Sequence, residues 1–155
     1  MSETATTHET ITVRETYHAP AEKVFRAWQD PAALQRWYVP GDAGWSSKIL
    51  AHDFRVGGNK LISFGPQAGP RYTEDCRYVD IVPNRRICFS MLIVRGDIRI
   101  TASMVTVELF KRPDGTEVVA TDQLAILDGG DSPADRERGW GEVLHKLAKE
   151  VTAMS

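Results

Sequence analysis

The segment that decides the fold is residues 132–154, SPADRERGWGEVLHKLAKEVTAM. Its apolar side chains fall at Trp140, Val143, Leu144, Leu147, Ala148, Val151 and Met154, the i, i+3, i+4, i+7 spacing of one helical face. Ser132 is placed to cap the first turn, Pro133 fits its first position, and Asp135 sits where the helix dipole favours negative charge. At about 1.5 Å per residue, the segment makes a rod of about 30 Å. No other stretch promises a helix of this length, so the rest of the chain must supply the surface that buries it. Gly139 and Gly141 flank Trp140 on this rod. Glycine costs a helix about 1 kcal/mol relative to alanine, so the pair suggests a place where the sheet comes close to the helix while Trp140 projects into an internal cavity.

Upstream of the rod the signals are strand and turn. Strands are expected over residues 48–55, 59–64, 72–82, 86–94, 98–111 and 116–127. Between them lie Gly57-Gly58, the loop 65–70, Pro83-Asn84, Gly96-Asp97 and Pro113-Asp114-Gly115, and Asp128-Gly129-Gly130 ends the last. Such short turns require antiparallel neighbours, because parallel pairs need a long crossover. A first strand, residues 9–18, is set apart from this meander by two short helices. The first opens at Pro20 and carries Val24, Phe25, Ala27 and Trp28 on its apolar side. Asp30-Pro31 stops it and caps a second bearing Leu34, Trp37 and Tyr38. Residues 39–47 are Gly-rich and irregular, yet hold Trp45, which is costly to expose and is expected to pack back on the domain.

The expected architecture is therefore α+β: a curved seven-stranded antiparallel sheet around a long C-terminal helix, with two short helices after the first strand. It forms a single domain over residues 1–155, with 1–8 as a flexible tail. A curled sheet and a single rod do not fill space completely, which leaves room for an internal cavity.

Composition narrows the function. With 155 residues, 42% hydrophobic and 26% charged, the chain matches one soluble domain. Net charge is −2 and no run of like charge exceeds Arg85-Arg86, so nucleic acid is not an expected partner. No apolar run approaches the roughly 20 residues that span a bilayer. The polar N-terminus lacks a secretory apolar region, so a cytoplasmic location is expected, with Cys76 and Cys88 as reduced, buried thiols.

Several runs carry a resemblance. They are APAEKVFRAWQDPAALQRW (19–37), DFRVGG (53–58), YVDIVPNRRI (78–87), VTVEL (105–109), residues 121–129 and RERGWGEVLHKL (136–147). Together they resemble the START-related helix-grip (SRPBCC) superfamily, and within it bacterial proteins similar to the activator-of-Hsp90-ATPase C-terminal domain. The resemblance implies a deep, largely apolar cavity between sheet and terminal helix, holding a small hydrophobic molecule. Co-chaperones with this domain also carry a separate N-terminal domain, for which these 155 residues leave no room.

No catalytic motif stands out. The phosphate-loop, HExxH and GxSxG patterns are absent, and His8, His18, His52 and His145 share no metal-ligand spacing. No catalytic residue, metal or cofactor is assigned. His145 falls off the apolar stripe and reads as a surface residue. Strand alternation places Val118, Ala120, Asp122 and Leu124 on one face, which makes Asp122 a carboxylate among apolar neighbours. It is either a polar anchor for a ligand or a residue paired with Arg99 or a backbone amide, and a one-residue slip would turn Gln123 inward instead. Arg136 stands at the cavity mouth or in solvent. The expected ligand wall comprises Trp37, Tyr38, Trp45, Tyr72, Tyr78, Phe89, Met91, Arg99, Asp122 and Trp140.

Three functions are compatible with this pattern. The leading one is non-catalytic binding of a small hydrophobic or aromatic molecule. The second is a cyclase-, aromatase- or hydrolase-like enzyme, with Asp122 or His52 as base and Arg99 or Arg136 as anion or carbonyl partner. The third is an interaction module, which predicts an exposed apolar patch. An open strand edge also makes a homodimer reasonable.

Overall fold

The computed structural model describes residues 6–38, 44–128, 130 and 132–154. In chain order the elements are β1 (Thr7–Tyr17), α1 (Ala21–Gln29), α2 (Pro31–Trp37), β2 (Trp45–His52), β3 (Asn59–Pro66), β4 (Tyr72–Val82), β5 (Arg86–Arg95), β6 (Ile98–Arg112), β7 (Gly115–Ile126) and α3 (Pro133–Ala153). All strands pair antiparallel, in the order β1-β7-β6-β5-β4-β3-β2. The fold is α+β, as the turn chemistry requires. The first strand closes the sheet beside the last. Residues 1–5 of the expected tail, 39–43 of the expected loop, and Gly129 lie outside the described residues. Residues 7 and 8, also expected in the tail, belong to β1.

The largest departure in element bounds is at β2. It begins at Trp45, in the segment expected to be irregular, and ends at His52. Residues 53–58 then form a turn whose Gly57 has a φ of 87°, a left-handed value glycine adopts without strain. Register shifts at Leu50 and Val79 leave those side chains outside the ladder and exposed. Such bulges bend a strand and increase its twist, so the sheet curls. At the opposite corner Gly115 has a φ of 149°, and a Cβ there would lie 1.9 Å from the Tyr17 carbonyl oxygen. Only glycine lets the β6–β7 turn pass that close to the end of β1.

Helix α3 forms as its sequence dictates. Ser132 accepts from the Asp135 amide at 3.1 Å, and Pro133 occupies the first turn. Trp140, Val143, Leu144, Leu147 and Val151 are buried, with Ala148 and Met154 packed against them. The backbone of α3 runs close to β1, α1 and α2. Tyr17 on β1 donates its hydroxyl to the Leu144 carbonyl at 2.6 Å. Arg36 on α2 grips Glu150 with two bonds of 2.9 and 2.8 Å. In α2 the cap is Asp30, which accepts from the Ala32 amide at 3.1 Å.

The glycine pair of α3 has a different meaning from the one its spacing suggests. A Cβ at Gly139 or Gly141 would meet nothing within 4 Å. Neither residue is needed for a close approach; each faces open space.

Candidate functional site

Because α3 lies against β1 at one side of the sheet, its N-terminal half stands away from β3, β4 and β5. The gap is a cleft of about 410 Å³. Its sheet wall is Phe64 (β3), Tyr72 and Glu74 (β4), and Met91 and Ile93 (β5); Tyr38 and Trp45 stand at the α2–β2 end. The helix wall is Asp135, Arg136, Arg138, Gly139, Trp140, Glu142 and Val143.

The aromatic part of this lining is a packed set. Phe64 and Tyr72 stack with centroids 5.2 Å apart and planes 7° apart, and Trp45 tilts over both at 6.2 and 5.5 Å. Tyr38 meets Trp140 edge-on at 6.4 Å. These distances fall in the range where ring pairs attract beyond simple burial, so one end of the cleft is a rigid aromatic box.

Under the box lies a buried polar cluster. Lys60, Ile62 and Phe64 share the inward face of β3, and Tyr72, Glu74, Cys76 and Tyr78 that of β4. Lys60 is wholly buried. Its Nζ lies 3.5 Å from Glu74 Oε2, 3.8 Å from the Tyr38 ring centroid and 4.3 Å from that of Phe89. Cys76 Sγ donates to Glu74 Oε2 at 3.3 Å. Burial first, and then the adjacent Glu74 carboxylate, push both the Tyr38 hydroxyl and the Cys76 thiol well above their ordinary pKa, so both keep their protons at neutral pH. Beside this cluster, the half-buried His52 has its Nε2 2.9 Å from the Tyr78 hydroxyl. Burial, followed by the Lys60 charge, lowers the His52 pKa to about 4, so the imidazole is neutral.

A second buried network ties α3 to the sheet. Asp122 is fully buried while Gln123 is exposed, which fixes the register of β7. Asp122 Oδ2 accepts from Arg136 at 2.9 Å and from Trp140 Nε1 at 3.0 Å. Arg136 also donates to Thr101 Oγ1 at 2.6 Å. The carboxylate therefore holds the two helix residues that form part of the cleft wall.

Of the ten residues expected to form the wall, Tyr38, Trp45, Tyr72, Met91 and Trp140 line the cleft. Trp37 is instead a core residue, packed edge-on to Trp28 at 4.6 Å and donating Nε1 to the Ala27 carbonyl at 2.9 Å. Tyr78 and Phe89 lie in the core beneath the cleft floor. Asp122 sits behind the wall, and its partner is Arg136; Arg99 is exposed on β6. Arg136 is buried despite its place in the first turns of a helix, because Asp122 and Thr101 receive its guanidinium. Of the acid–base pairings considered for an enzyme, Asp122 and Arg136 do meet, at 2.9 Å, whereas Arg99 is exposed on β6 and His52, on β2, is separated from β7 by β6, β5, β4 and β3.

Glu74, Phe64, Ile93 and Val143 were not anticipated in the wall, nor Lys60 behind it. Period-two alternation held the signal for most of them. Counting from Tyr72 puts Glu74, Cys76 and Tyr78 on one face, and counting from Phe64 puts Ile62 and Lys60 beside them. Charged residues on such a face are easily passed over as solvated.

The described residues include no group of His, Cys, Asp and Glu able to hold a metal, and no helix long and apolar enough to cross a membrane. Cys76 and Cys88 are free thiols, the first buried and the second half-buried.

The chain is similar to several solved structures along nearly its whole length. Protein Mll3558 from Rhizobium loti is 39% identical, with a TM-score of 0.85 over 95% of this chain and 99% of its own. An uncharacterised protein from Rhizobium leguminosarum is 31% identical, with a TM-score of 0.86 over 97% and 98% of the two chains. Protein CV1439 from Chromobacterium violaceum is 30% identical, with a TM-score of 0.80 over 94% and 98%. No curated protein matches the sequence. The family model for activator of Hsp90 ATPase homolog 1-like proteins matches residues 18–152, and the chain belongs to that family.

Proposed function

We propose that this protein binds a small hydrophobic or aromatic molecule in the cleft between the sheet and the N-terminal half of α3. The observation that carries this reading is the cleft itself, about 410 Å³ with an aromatic box of Trp45, Phe64 and Tyr72 at one end and Trp140 on the facing helix. Binding sites for small molecules are typically concave, about 300–1,000 Å³, largely apolar, and carry a few fixed polar groups. The cleft lies at the lower end of that range, which suits a ligand of one to three rings. Asp122 supports this role indirectly by holding Arg136 and Trp140 in the wall.

Thermal-shift screening with aromatic and lipid compounds, together with native mass spectrometry of the purified protein, tests the proposal. Ligands should raise the melting temperature and appear as a single added mass. Gly139→Leu is the matching control, since Gly139 lines the cleft and a side chain there meets no atom within 4 Å of its Cβ. This variant should fold and lose binding. A panel that stabilises native protein and Gly139→Leu equally would sink the proposal.

A further inference from the structure

Among the described residues, Glu74 is the one charged side chain on the sheet wall of the cleft. It projects from an apolar row, with Ile62 beside it on β3 and Ile93 on β5. Its side chain is only 8% exposed, and it still lines the cleft. Burying a carboxylate is costly unless it is paired and hydrogen-bonded, so its surroundings decide what it can offer a ligand.

Among the described residues, the polar groups that meet Glu74 are donors. Lys60 supplies an ammonium at 3.5 Å from Oε2 and Cys76 a thiol at 3.3 Å. The Tyr38 hydroxyl, kept protonated, is also held beside it. An ionised carboxylate has about four lone-pair directions to fill, so acceptor capacity remains towards the cleft. Lys60 is fully buried behind Glu74 and does not form the cleft wall. Ligand recognition on this floor is therefore by acceptance of a hydrogen bond.

The ion pair also selects the kind of donor. A ligand ammonium at Glu74 would approach the Lys60 ammonium as well, so its attraction to the carboxylate would be largely cancelled. A neutral hydroxyl meets no such repulsion and gains a hydrogen bond to a charged acceptor in a low-dielectric pocket. The other charged residues of the cleft wall do not change this: Asp135 and Arg138 pair with each other, Arg136 pairs with Asp122, and Glu142 is solvent-exposed, where salt and water screen its pull on an ammonium.

We infer that Glu74, backed by Lys60, is the specificity-determining group of the cleft and selects hydroxylated aromatic ligands, phenols above all, with the hydroxyl on Glu74 and the ring in the box formed by Trp45, Phe64 and Tyr72. This inference rests on the cleft being a ligand site, and the test separates the two. The probes are 2-naphthol, 2-methoxynaphthalene and naphthalene, which share a ring system, and protonated 1-naphthylmethylamine, titrated at pH 7 by intrinsic tryptophan fluorescence.

If Glu74 selects hydroxyls, 2-naphthol binds at least about tenfold more tightly than either naphthalene or 2-methoxynaphthalene, the worth of one hydrogen bond to a charged group. The ammonium probe binds more weakly than 2-naphthol. In the double variant Lys60→Met/Glu74→Met the naphthalene affinity persists and the hydroxyl preference disappears. Equal binding of the three neutral probes to the native protein overturns the role of Glu74 while leaving the binding site intact. Tighter binding of the ammonium overturns the neutral-donor preference. Failure of all four probes to bind overturns both readings. The native-protein comparison decides the question even where the double variant fails to fold.

Discussion

At the scale of single residues, the buried Asp122 and the half-buried His52 have consequences that can be measured. Asp122 is fully buried and anchors Arg136 and Trp140 through one oxygen. Removing one charge of a buried pair typically costs about 3–5 kcal/mol. Asp122→Asn keeps the shape and an acceptor for Trp140, so a loss near the lower end, about 3 kcal/mol in chemical denaturation, is expected. His52 acts through pH. Its folded-state pKa, about 4, lies below the 6.5 of the free side chain because burial and then Lys60 oppose its protonation. Between those values the unfolded chain takes up a proton that the folded protein excludes. The stability this group supports is thus complete above pH 6.5 and declines as pH falls towards 4. In His52→Gln the fall in melting temperature between pH 7 and 5 should be shallower than in the native protein; an identical slope would remove His52 as its cause.

At the scale of elements, α3 is where residue pattern and structure agree best, and also where they part. Its cap, first-turn proline and apolar stripe could all be read from local chemistry, because each depends on neighbours within a few residues along the chain. Ser132→Ala should cost about 1 kcal/mol through loss of the cap. The glycines misled for the complementary reason. A gap and a tight contact both tolerate glycine, and only the placement of α3 relative to the sheet distinguishes them. Since a Cβ at Gly141 meets nothing within 4 Å, Gly141→Ala should stabilise the protein by about 1 kcal/mol, read from denaturation midpoints; a destabilised variant would restore the close-packing view. The strands show the same division. Their turns marked them clearly, and residues 72–82 hold as expected. The wall residues depend on which long side chains reach across strands, as Lys60 does to Tyr38 and Phe89, and that is a non-local property.

At the scale of the whole molecule, the cleft follows from how the elements are fastened. Tyr17 holds the middle of α3 to β1, and Arg36 holds its C-terminal part to α2. The N-terminal half is secured by Arg136 and Trp140 reaching Asp122, and it spans the gap above β3, β4 and β5. The helix thus serves as the centre of the core along one half and as a wall of the cleft along the other. That division explains why Trp37 and Phe89 are core while Trp45 and Tyr72 line the cleft, although all are aromatic residues near the same corner. Amide and aromatic NMR spectra recorded during titration with 2-naphthol test ligand binding in this cleft most directly. Saturable shifts confined to Tyr38, Trp45, Phe64, Tyr72, Met91 and Trp140 and their neighbours are expected, and linear, non-saturating shifts, or shifts centred on the exposed Leu50, Val79 and Phe110, would contradict it.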